Sequence, residues 1–243
     1  MHLRVLTYNI HKAVDLNARF KLEPIAEVLR HHDADIVLLQ EVTVGARRAR
    51  HLHLGEELQR LCGYPFQATE LNVHFRTGGG YGNCTLSRLP IRRVRNLDLT
   101  ISWHKRRACL WTTLELPHRT TRLRVGNLHL GLSAGERHRQ IERLLHLDPV
   151  ARLGHDEPLI LGGDFNDWRN LLWPRWFRDR GFHYATRHQR AFGIRTFPSY
   201  SPLGALDKVF VRGLRVLNAA RSKMAITRVA SDHLPVIVEL ELH

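Results

Sequence analysis

The chain has 243 residues, 43% hydrophobic and 25% charged, which is long enough for a sizeable core and ordinary for a globular protein. No run approaches the ~20 apolar residues of a membrane-spanning helix, and the opening MHLRVLTYNIH lacks a signal-peptide pattern. Lys and Arg number 37 against 23 Asp and Glu; the resulting net charge of +14 favours an anionic partner and speeds its encounter.

Three cysteines, Cys62, Cys84 and Cys109, are an odd number without CxxC spacing. They support neither a disulfide framework nor a zinc site, and the reducing cytoplasm is the expected compartment. LRVLTYNI (3–10) alternates and is rich in strand formers, so it predicts the first strand. Leu22, Ile25, Ala26 and Leu29 follow at helical spacing, with Pro24 suited to a first turn. ADIVLLQEV (34–42) is a nearly continuous apolar run, as expected of a strand covered on both faces. Further strands are predicted at 83–87, 109–116, 122–130, 158–162, 206–211 and 234–242. An amphipathic helix is predicted over 134–146, where Ile141, Leu144 and Leu145 fall among Arg, Glu and His. No repeat, low-complexity tract or linker interrupts this order, so one monomeric α/β domain over 1–243 is expected. The pattern does not specify strand order.

Strand after strand ends in a residue able to bind metal or phosphate: Asn9 in TYNIH, Glu41 in LLQEV, His129 in NLHL. LILGGDFNDW (159–168) gives Asp164 and Asn166, ALDKVF gives Asp207, and SDHLPV gives Asp232 and His233. Binding groups gather where strands of α/β sheets end. Each alone reads as a turn residue, a cap or a hydrogen-bonded side chain; together they read as one site. In LILGGDFNDW, Asp164 and Asn166 at i and i+2 are expected to project the same way, with the two glycines letting that edge approach a substrate.

The series TYNIH, LLQEV, GNCTLSRLPI, NLHL, GGDFND, LDKVF and SDHLPV resembles the endonuclease/exonuclease/phosphatase superfamily. That group includes DNase I, exonuclease III-type AP endonucleases, neutral sphingomyelinases and inositol polyphosphate 5-phosphatases. The matches run in family order from residue 7 to residue 236. NIHK (9–12) and FNDW (165–168), with the short length, look like its compact bacterial members. The resemblance implies a DNase I-like four-layer α/β sandwich, two mixed β-sheets face to face with helices outside and the site at one end. It also implies Mg²⁺ or Mn²⁺ as cofactor and phosphodiester hydrolysis.

Under that resemblance Glu41 is the best single metal ligand, with Asn9 beside it and Asp232 or Asp164 completing the shell, since magnesium prefers oxygen donors. Asp164 and Asn166 are expected to hold the attacking water and a phosphate oxygen. His233 with Asp207 looks like the family's oriented histidine, either as general base or as phosphate-binding cation. His129 stands where DNase-like members protonate the leaving oxygen. His11 replaces an Asp of AP endonucleases and Asn83 stands near where DNase I has a second Glu. Both changes remove negative charge, so one loosely held ion is expected, with His11 and Asn83 on the substrate instead.

Nucleic acid is the expected partner, and cleavage of DNA or RNA the expected activity, because basic loops flank these motifs. GARRARH (45–51) carries Arg47, HKRRA (104–108) carries Arg107, and DWRNLLWPRWFRDR (167–180) mixes Trp168, Trp173, Trp176 and Phe177 with arginines. The last composition suits stacking on bases. It equally suits a helix burying its aromatics, because Trp168, Leu172 and Trp176 share one helical face. The alternative substrate is a phospholipid at an anionic membrane surface, where aromatics sit at the interface and Arg meets headgroups.

Overall fold

In the computed structural model, which describes residues 1–154, 157–187 and 193–242, twelve strands divide equally between two sheets. In chain order they are β1 (His2–Asn9), β2 (Ile36–Val44), β3 (Phe66–His74), β4 (Gly80–Ser87), β5 (Ile91–Asp98) and β6 (Ala108–Glu115). Then come β7 (Arg122–His129), β8 (Leu159–Asp164), β9 (His183–Tyr184), β10 (Asp207–Arg212), β11 (Arg215–Arg221) and β12 (Val236–Glu241). The helices are α1 (Glu23–His32), α2 (Leu54–Cys62), α3 (Ala134–His146) and the single turn α4 (Thr227–Ala230). One sheet runs β11-β12-β1-β2-β4-β3 and the other β5-β6-β7-β8-β10-β9. Both are mixed: β1 with β2 and β7 with β8 are parallel, the remaining pairs antiparallel.

Side-chain alternation along β2 shows why the layers stack. Val37 and Leu39 pack outward under α1 and α2, with Ile25, Leu29, Leu54 and Leu58. Ile36 and Leu38 pack inward against Val125, Ile160 and Val209 of the facing sheet. A strand apolar on both faces must be covered on both faces. The far side of the second sheet is closed by α3 through Ile141 and Leu144, and by the aromatics Trp176, Phe177 and Phe210. The result is the expected four-layer sandwich, helix, sheet, sheet, helix.

The expected strands are all present, as are α1 and α3, but β3, β5, β9, β11, α2 and α4 were not foreseen. β5 and β11 are sheet edges, and their sequences IRRVRNLD and RVLNAAR expose most side chains. Edges are kept charged against unwanted pairing, which erases the apolar signal. The 167–180 segment also corrects its expectation. Leu172, Trp176 and Phe177 are buried, Trp173 is half-buried in a ring stack on Phe210, and Trp168 is exposed rather than on their face. Trp173 and Trp176 are core residues, not free platforms for bases.

Candidate active site

The register of the second sheet sets three polar side chains in a row. His129 ends β7 opposite Asp164 at the end of β8, and Asp164 pairs with Asp207 at the start of β10. The first sheet supplies its own end groups, because Asn9 pairs with Gln40 and so lies beside Glu41. Asp232 and His233 come from the loop just before β12. Ser231 ties that loop to β1 by donating from Oγ to the Asn9 carbonyl at 2.7 Å, while the His233 amide donates to the same Oγ at 3.3 Å.

Asp164 is the hub. Its Oδ2 accepts a hydrogen bond from Asn9 Nδ2 at 3.1 Å and lies 3.6 Å from His129 Nε2 and 3.7 Å from His233 Nε2. Its Oδ1 accepts from the Asn166 amide at 2.9 Å. His233 Nδ1 is 2.8 Å from Asp207 Oδ2, which fixes the ring and turns Nε2 toward Asp164. Phe165 is wholly buried and meets Phe210 and Phe177 edge-on, so the residues on either side of it have little freedom.

The two histidines are driven to different protonation states. Burial opposes a charge on His233, but Asp207, Asp164 and Asp232 outweigh it and raise the pKa to about 10. Burial and then Arg107, His233, Lys105 and Lys12 push His129 well below the usual histidine range. Near neutrality, His233 is therefore an imidazolium and His129 a neutral ring. Burial, with Asp207 adding to it, raises the Asp164 carboxyl against the opposing pull of His233.

Glu41 has a partner that sequence reasoning missed: its Oε2 accepts from the Lys12 ammonium. Lys12 and Lys105 also both lie over the Tyr81 ring, at 5.0 and 5.2 Å from its centroid. Burial opposes the charge on Glu41, but Lys12, His11 and Arg107 hold it below the ordinary carboxylate range. The implied divalent ion fits this donor set. The Glu41 carboxylate, Asn9 amide and Asp232 carboxylate offer oxygen only, as magnesium prefers. Among the described residues no three His, Cys, Asp or Glu side chains form a metal-binding group. Lys12 competes for the Glu41 carboxylate.

The remaining expected residues fall in three situations. His11 is half-buried at the rim, its Nδ1 3.9 Å from Asp232 Oδ1, and Arg47 is exposed in the turn after β2. Arg107 is buried with its Nε unpartnered, a guanidinium whose field reaches both Glu41 and His129. Trp168 stands exposed beside Phe197, ring to ring at 5.7 Å. Asn83 departs from its expected substrate role. Its Nδ2 donates to the Ala108 and Asn127 carbonyls at 3.2 and 3.0 Å, bridging the two sheets, and no donor remains for phosphate.

The GGDFND stretch also differs from its expected geometry. Asn166 has φ +50, so it leaves the strand and does not extend the alternation from Asp164. Its Nδ2 donates to the Leu130 carbonyl at 3.0 Å. Gly163 faces β7, where an added Cβ would lie 2.0 Å from the Leu128 oxygen; at Gly162 it would meet Leu38 of the other sheet. These glycines serve strand and sheet packing, not substrate approach. Asp167 accepts the Leu171 and Leu172 amides at 3.1 and 3.2 Å and lies 3.9 Å from Lys208 Nζ. Lys208 itself is buried, donates to Asn170 and to the Tyr184 hydroxyl, and is lowered by burial to about 8. Only the alternation of LDKVF, which sends Asp207 and Lys208 to opposite faces, could have signalled that internal network.

Comparison with known proteins gives the same answer as the geometry. The model of the "Endonuclease/Exonuclease/phosphatase family" matches residues 6–233. The chain is 32% identical over 247 aligned positions to the uncharacterized protein YbhP of Escherichia coli K12, covering 98% of this chain and 96% of that one. An endonuclease/exonuclease/phosphatase crystal structure from Beutenbergia cavernae superposes with a TM-score of 0.79 at 25% identity, over 99% of this chain and 72% of that one. A mannosyl-6-phosphatase from Bacteroides thetaiotaomicron shares the fold with a TM-score of 0.70 at 19% identity, over 98% and 99% of the two chains. By a family match spanning nearly its whole length, with the site residues in the family's order, this chain belongs to the endonuclease/exonuclease/phosphatase family.

Proposed function

We propose that the protein hydrolyses phosphodiesters by direct attack of water on a phosphorus held against the cluster of His129, Asp164 and His233. The observation that carries this reading is one buried carboxylate facing two histidines, one charged and one neutral. His233, charged and fixed by Asp207, stabilises negative charge on the phosphoryl oxygens. Asp164, made more basic by burial, orients water and accepts its proton. His129 is neutral while Arg107, Lys105 and Lys12 surround it. A bound phosphate offsets their field, letting the ring hold the proton that it gives to the leaving oxygen. Enzymes of this family generally use divalent metals. Such an ion on Glu41 would supply charge neutralisation and polarise the phosphate.

A nuclease reading is supported by the net charge of +14 and by the exposed arginines Arg47 and Arg48 in the turn after β2. Its stacking element is weakened, because Trp173 and Trp176 belong to the core. Three unpaired thiols support a reducing compartment such as the cytoplasm. The test is turnover of bis(p-nitrophenyl) phosphate, with and without EDTA. His129→Ala and His233→Ala are each expected to lower kcat by about 10² to 10⁴. Full activity in excess EDTA removes the metal, and near wild-type turnover by either variant removes that histidine's role.

A further inference from the structure

The loops at the site end of the two sheets carry a surface that the reaction does not need. Among the described residues, every exposed large apolar side chain except Met1, Val94 and Leu217 lies on one of them. Trp103 in the β5–β6 loop is 91% exposed, Leu132 in the β7–α3 loop 76% and Leu203 in the β9–β10 loop 67%. Tyr200 stands beside Leu203 on the same loop. Leu16 and Val229 are held together where their loops meet, the Leu16 amide donating to the Val229 carbonyl at 3.2 Å.

The charge of this face is mainly positive. Arg48, Arg76, Arg106, Arg169 and Lys223 are exposed on these loops, and Arg228 on α4 between β11 and β12. Among described residues the acids of the same loops are Asp15, Asp167, Asp179 and Asp232; Asp179 is exposed and paired with Arg178 at 3.0 Å. Asp15 is buried and paired with Lys21, Asp167 is buried on backbone amides, and Asp232 belongs to the site. Exposed acids elsewhere, such as Asp33, Asp98 and Asp148, are each paired with an arginine.

We propose that this face docks on an anionic phospholipid bilayer, with Trp103, Leu132 and Leu203 entering the interface and the surrounding arginines meeting lipid phosphates. The phosphodiester presented to His129, Asp164 and His233 is then a lipid headgroup's; this last step rests on the hydrolase reading above. Aliphatic side chains decide between polyanions. Leucine neither stacks on a base nor pairs with a phosphate, whereas both Trp and Leu gain by entering an interface. The apolar groups are also carried on separate loops, which suits a fluid surface; a protein partner would call for one contiguous patch. No described helix is long and apolar enough to cross a membrane.

The experiment is co-sedimentation with vesicles of phosphatidylcholine alone and of equal parts phosphatidylcholine and phosphatidylglycerol. The protein is expected to bind the mixed vesicles and to leave the zwitterionic ones. The combined Trp103→Ser, Leu132→Ser and Leu203→Ser variant should bind them about tenfold more weakly or less. Its turnover of bis(p-nitrophenyl) phosphate should be unchanged, which shows that it is folded. Equal vesicle binding by variant and wild type overturns the proposal. So does tighter binding of wild type to oligonucleotides than to anionic vesicles. If the wild type binds anionic vesicles through these residues but hydrolyses no soluble diester, docking stands and the hydrolase reading fails. Hydrolysis without vesicle binding has the opposite meaning.

Discussion

At the scale of single residues, the Asp207–His233 pair makes a prediction about stability as well as catalysis. The His233 pKa is raised to about 10, above the ~6.5 of an unfolded histidine, so its charged form stabilises the fold. That stabilisation is fully present below about pH 6.5 and is lost as pH rises toward 10. Denaturant unfolding of the wild type should therefore lose stability across this window, and Asp207→Asn should flatten the decline; equal slopes would show that the pair is not ionic. Lys12 gives a second prediction. Its ammonium occupies the Glu41 carboxylate, so Lys12→Met should lower the magnesium concentration that half-activates the enzyme. A raised or unchanged midpoint would mean that the ion does not use Glu41. Glu41 and the hub Asp164 were legible in sequence because a carboxylate closing a buried apolar run is costly unless it is paired or binds a cation. Lys12 was not, since a lysine past a strand end ordinarily reads as solvated. Asn83 misled for the converse reason: an amide's bonding partners lie in another strand, and no local pattern records them.

At the scale of elements, the site depends on how β7 and β8 pair. Their parallel register sets His129 opposite Asp164, and Gly163 allows the close approach. A methyl group there would meet the Leu128 oxygen at 2.0 Å, on a backbone with φ +142 that side chains rarely adopt. Gly163→Ala should cost about 3 kcal/mol of stability and lower kcat by displacing Asp164 from His129. Gly135→Ala in α3 is the contrast, because nothing lies within 4 Å of its added Cβ. It should be neutral or stabilising by about 0.5–1 kcal/mol through helix propensity. Matching thermal shifts for the two variants would remove the close-approach argument. Buried strands such as IVLLQEVTV announce themselves because both faces must be apolar. The edges β5 and β11 stay hidden because their arginines face water. Strand order stays hidden because register across the sheets comes from packing that joins residues far apart in the chain, as Gln40 Nε2 does in donating to Asn127 Oδ1 at 2.8 Å.

For the whole molecule, the net charge of +14 matters less than where it lies. Arg48, Arg76, Arg106, Arg169 and Arg228 are exposed on the connections around the candidate site, whereas Asp15 and Asp167 of the same connections are buried. A basic face of this kind meets an anionic surface with the site turned toward it. Each basic residue close to such a surface is worth about 1 kcal/mol, so removing three should weaken attachment by roughly a hundredfold. Arg48, Arg106 and Arg169 are exposed and come from three different loops, so one variant samples the whole rim. Replacing all three by Ala should flatten the salt dependence of binding to anionic vesicles, because fewer contacts remain for salt to screen. Turnover of a small soluble phosphodiester should change little, since none of the three has a place in the catalytic cluster. If vesicle binding keeps its full salt dependence in this variant, the charge at the site end does not orient the molecule, and another face would have to carry the attachment.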